Sequence, residues 1–152
     1  MPYTDAEARQ QLLDAIAEAV ARLAVALAAL SELYERVDEG SADALEERLF
    51  RPLQRAYGRA RSAHTAFAER HGLPTRTFAQ AQQAAPALGT RQLLDGAVDA
   101  VTQADGELAG LQDSMLPVEV GDRQLRAELE GIRTLLGALP ARARELQRTL
   151  GR

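Results

Sequence analysis

The chain has 152 residues, 46% of them hydrophobic but only 4% aromatic, which leaves room for one buried core built mainly from Ala and Leu. It has no cysteine, which excludes disulfides, thiolate metal sites and thiol catalysis. All 18 basic residues are arginine, a pattern we read as codon bias and not as phosphate recognition, and the net charge of −4 argues against nucleic acid as a partner.

Residues 4–37 open the chain with Leu13, Ile16, Val20, Leu23, Leu27, Leu30, Tyr34 and Val37 at alternating spacings of three and four. That 3.5-residue period predicts a helix with one seam turned towards partner helices. Thr4 and Glu7 form a capping box at its start, and Gly40 is placed to close it in a left-handed turn. Ser41 is then expected to cap a second helix reaching about His71, with the seam Phe50, Leu53, Tyr57, Ala60, His64, Phe67 and His71. Gly72 and Pro74 stop it.

Residues 73–89 form the longest connection, and residues 77–85 are expected to make a short extra helix inside it. A third helix spans about residues 90–115, with the seam Leu94, Ala97, Val101, Ala104, Leu108, Leu111 and Met115. Residues 116–121 turn the chain, and Asp122 caps a fourth helix reaching Leu150. Its seam runs Leu125, Leu129, Ile132, Leu136, Leu139, Ala143, Leu146 and Leu150. Pro52 and Pro140 interrupt helical patterns, freeing the carbonyls of Arg48 and Leu136, so each predicts a kink or a restart.

These elements predict an all-α fold, a single domain over residues 1–152, arranged as an antiparallel up-down-up-down four-helix bundle. Charge alternates along it. Residues 1–47 hold three Arg against eleven acids (net −8), and residues 48–76 hold seven Arg against one acid (net +6). Residues 77–122 hold one Arg against seven acids (net −6), and residues 123–152 hold seven Arg against three acids (net +4). In that topology every helix neighbours two of opposite sign. The two basic helices then face each other across a diagonal and cannot merge into a nucleic-acid surface.

Candidate chemistry is sparse. A di-iron bundle needs Glu-x-x-His on two helices, but His64 and His71 are the only histidines and neither follows such a glutamate, so no metal and no cofactor are expected. No nucleophile–base pair is recognisable, and His64 is turned inward by its register, away from phosphotransfer, so no enzyme is expected. Tyr57, Ala60 and His64 on the second helix, with Val101 and Ala104 on the third, are the candidate lining of an interhelical ligand pocket.

The arginine stripe Arg48, Arg51, Arg55 and Arg59 reads as an outer face. It is either solvated and paired with acids of neighbouring helices or a dock for an acidic protein or a phosphate-bearing ligand. Between Arg22 and Glu32 the first helix carries no charge, and Ala21, Val25, Ala28 and Ala29 form a candidate surface for self-association or a protein partner. Asp5 and Glu7 stand where a signal peptide needs positive charge, and residues 19–30 are too few to span a bilayer, so a cytoplasmic protein away from membranes is expected. The functional expectation is a non-enzymatic protein-interaction or scaffold module capable of self-association. The alternative is a small-molecule binder using the interhelical pocket.

Overall fold

A computed structural model describes residues 4–84 and 87–150. Among the described residues the chain is all-helical, with no strand. The elements are α1 (Asp5–Arg36), α2 (Glu39–Leu45), a π-helical turn (Glu46–Phe50), α3 (Arg51–Arg70), α4 (Thr90–Asp113), α5 (Leu116–Glu119), α6 (Arg123–Gly137) and α7 (Leu139–Leu150).

Local sequence accounts for most boundaries. The Glu7 amide donates to Thr4 Oγ1 at 3.1 Å and the Thr4 amide to Glu7 Oε2 at 3.4 Å, so the capping box forms as expected. The end of α1 differs: only Val37 and Asp38 separate it from α2, and Gly40 lies inside α2. The cap of α2 is Asp38, whose Oδ1 accepts from the Ser41 amide at 2.7 Å, and not Ser41 itself. The left-handed glycine is Gly72, at φ 67° just beyond α3.

Both interior prolines act as anticipated. Ahead of Pro52 the helix widens into the π-turn, with the Arg51 amide bonded to the Glu46 carbonyl five residues back. The Arg48 carbonyl that Pro52 cannot serve accepts instead from Arg142 Nη1 at 3.2 Å. Around Pro140 the last helix stops at Gly137 and restarts at Leu139, which puts the proline in the first turn of α7.

Helix α1 buries more than one seam. Leu12, Ile16, Ala19, Leu23, Ala26, Leu30 and Leu33 form one buried row, and Leu13, Ala17, Val20 and Ala24 form a second beside it. Two rows suit a helix flanked by two partners, here α4, its most extensive contact, and α3. The single seam read from the sequence mixed the two rows. Leu27 and Val37 are only partly buried, and Tyr34 is 38% exposed.

The order of neighbours departs from the up-down-up-down expectation. α3 packs on α1 and α6, and α4 packs on α1, α6 and α7, while α3 and α4 share no extended face. End-to-end contacts show why. Arg36 near the end of α1 donates to the Leu88 carbonyl just before α4, and Arg9 near the start of α1 donates to the Val120 carbonyl beyond α4 at 3.0 Å. Arg70 at the end of α3 pairs with Asp122 at the start of α6, and Arg48 pairs with Glu145 of α7.

The connection after α3 therefore returns the chain to the end where α3 began. Its 18 steps from His71 to Gly89 reach about 59 Å when extended, against about 36 Å for the 24 residues of α4. The expected short helix is absent from residues 77–84, and Ala85 lies outside the described residues. A nine-residue helix would cut the connection's reach to about 43 Å. Leu73, Phe78, Ala84 and Leu88 pack against the core along the way.

Candidate functional site

The neighbour order redistributes charge. Basic α3 lies against basic α6, the π-turn ahead of α3 lies against basic α7, and acidic α1 lies against acidic α4. Contrary to the diagonal placement expected from alternation, the two basic helices adjoin, and the molecule has an acidic half and a basic half. Exposed ion pairs contribute only about 0–1 kcal/mol each. Apolar burial at about 25 cal/mol per Å² and the reach of the connections outweigh them.

The seam between the basic helices uses the few acids available. Arg48 Nη2 lies 2.8 Å from Glu145 Oε2, Arg59 Nε lies 3.4 Å from Glu128 Oε2, and Arg70 Nε lies 2.8 Å from Asp122 Oδ2. Gly131 gives Arg59 its path, since a Cβ there would stand 2.3 Å from Arg59 Nη2. Arg59, read as part of the outer stripe, is thus in the contact between α3 and α6. Arg55 and Arg51 remain exposed, the latter 3.8 Å from Glu46.

Of the candidate pocket residues, Ala60, His64, Val101 and Ala104 are buried and Tyr57 is half-buried beneath the Arg61 guanidinium, 5.3 Å from its ring centre. They sit on helices without an extended shared face. The core void that touches Val101 holds about 10 Å³ and is walled by Leu53, Leu94, Ala97 and Leu139 among others, not by Tyr57 or His64. His64 is 1% exposed, its Nδ1 makes no hydrogen bond with the described residues, and the Phe78 ring meets it edge-on at 5.1 Å. Burial, aided by the nearby positive charge of Arg76, lowers its pKa and keeps it neutral.

His71 is tied elsewhere. Its Nε2 lies 3.0 Å from Asp122 Oδ2 and its ring packs on Phe67. Asp122 also caps α6 by accepting from the Leu125 amide at 2.7 Å. Burial opposes its charge, yet the hydrogen bonds from Arg70, Leu125 and His71 outweigh burial and hold the carboxyl well below the usual carboxylate range. No hydroxyl bonds either histidine among the described residues, and no group of three or more His, Asp or Glu there is placed to hold a metal ion.

On the outside of α1, Val25 is 51% exposed and Ala21 is exposed, Ala28 is partly covered, and Ala29 is buried and offers no surface. Sequence reasoning missed the space between α4 and α7. A cavity of about 490 Å³ there is lined by Arg91, Arg144 and Arg148 with Thr90, Leu94, Gln147 and Leu150. A second, of about 280 Å³, adjoins it and shares Leu94, Arg144 and Gln147. The spacing of Arg144 and Arg148 on one helical face was legible, but not that Arg91 would meet them. No helix among the described residues is long and apolar enough to cross a membrane. The chain matches no family model, no curated protein and no solved structure.

Proposed function

We propose that the chain is a four-helix bundle serving as a non-enzymatic protein-interaction module, which docks an acidic protein on the half formed by α3, α6 and α7. In the bundle we infer, α1 and the α6–α7 pair run one way while α3 and α4 run the other, with the long connection crossing its length. The end-to-end contacts of Arg9, Arg36, Arg48 and Arg70 support that order. The observation that carries the function is the adjacency of the two basic helices, which gathers Arg51, Arg55 and Arg142 on one side. Charge of one sign over a continuous face steers an oppositely charged partner.

An acidic protein is favoured over nucleic acid because Glu128, Glu130 and Glu145 interrupt the arginines of α6 and α7, where a regular phosphate backbone would meet them. The pocket at Tyr57, Ala60, His64, Val101 and Ala104 has less support, since four of the five are packed in the core.

The test is the partner recovered with a native-level tag from the source cell. The R51Q/R55Q/R142Q variant should lose that partner at physiological salt while keeping its helical circular dichroism. Undiminished binding by this variant sinks the reading, and recovery of nucleic acid in place of protein replaces it.

A further inference from the structure

We propose that the cavity between the start of α4 and α7 binds a small organic molecule carrying a phosphate group, held by Arg91, Arg144 and Arg148. The site shares α7 with the docking half but uses other arginines, Arg144 and Arg148 with Arg91, and its support is independent of that reading.

The cavity, at about 490 Å³, is half open, within the size range of small-ligand sites, and its three arginines are exposed. These arginines involve two unfavourable placements, although Arg148 in the last turn of α7 is favoured by that helix's own dipole. Arg91 stands in the first turn of α4, which has no acidic residue, so its charge faces the positive end of the helix dipole. Arg144 and Arg148 lie four apart on one face of α7, where like charges repel. None of the three has a carboxylate within ion-pairing distance among the described residues, whereas Arg48, Arg59, Arg70 and Arg133 all do. A dianion in the cavity would relieve both repulsions at once, and guanidinium forks match phosphate oxygens two at a time.

The remaining walls restrict what the phosphate is attached to. Leu150, partly exposed, offers apolar surface beside the arginines. Asp95 and Asp99 flank the adjoining cavity and repel a second anionic group there. The ligand is therefore charged at one end and carries an uncharged or cationic organic body, unlike an extended polyphosphate.

Calorimetric titration and thermal unfolding with phenyl phosphate, inorganic phosphate and sodium chloride at matched ionic strength test this. Phenyl phosphate should bind and raise the melting temperature beyond sodium chloride, and inorganic phosphate should bind more weakly. Changing R144Q/R148Q should weaken phenyl phosphate about tenfold or more, while R51Q/R55Q leaves it unchanged. The R91Q variant should also melt higher than the parent without ligand, because a repulsion is removed, which separates loss of binding from loss of fold. Phenyl phosphate acting no differently from sodium chloride overturns the site, and so does full binding by R144Q/R148Q. Equal affinity for the two phosphates overturns the organic body.

Discussion

His64 shows how a single side chain can oppose the fold that surrounds it. Its imidazole is buried with Nδ1 unpaired, and a buried polar atom without a partner costs about 1–3 kcal/mol. Leucine of similar volume should remove that penalty, so H64L is expected to raise unfolding free energy by about 1 kcal/mol in urea titrations at pH 7.5. The pH dependence has a definite sign. Because the folded pKa is lowered, the unfolded chain binds more protons below the ordinary value of 6.5, and stability falls as pH drops through it. The H64L variant should lose that decline; an unchanged pH profile would count against the buried neutral state. Register in the sequence placed His64 inward. Its cover, Phe78, comes from the connection 14 residues on, which no helical periodicity reveals.

Among the elements, α4 is the one most open to improvement. A Cβ at Gly96, Gly106 or Gly110 would meet nothing within 4 Å, so each change to alanine should add about 0.5–1 kcal/mol by helix propensity, measured by chemical denaturation. Gly121 is the opposite case. A Cβ there would stand 2.3 Å from the Pro117 carbonyl oxygen, and G121A should cost about 1–3 kcal/mol because backbone must shift. Element boundaries were legible where one or two local residues decide them. Thr4 with Glu7, Asp122, Pro52 and Pro140 all act within a turn of themselves. The cap at Asp38 was missed because Asp38 and Ser41 are both good caps three residues apart, and the Ser41 amide donates to Asp38. The expected helix is absent from residues 77–84, where Phe78 and Ala84 pack against the core, a contact that local helix preference of Ala and Gln does not reveal.

For the molecule as a whole, the segregation of charge has a measurable consequence. α1 and α4 share the largest contact, both are acidic, and no ion pair joins them among the described residues. Raising sodium chloride from about 10 mM to about 150 mM shortens the screening length from about 30 Å to about 8 Å. The melting temperature is expected to rise by a few degrees across that range, and a fall would mean that the ion pairs between α3 and α6–α7 outweigh repulsion within each half.

What the amino-acid order determined by itself is the main helices, the Thr4–Glu7 and Asp122 caps and the breaks at Pro52 and Pro140, because those depend on neighbours within about four positions. The tertiary structure alone decided which helices touch. Alternating charge favoured one order of packing, but exposed charge pairs are weak, and the reach of residues 71–89 with the two buried rows of α1 favoured another. That decision brought the basic helices side by side and put Arg91 on the same cavity as Arg144 and Arg148, residues more than fifty positions away.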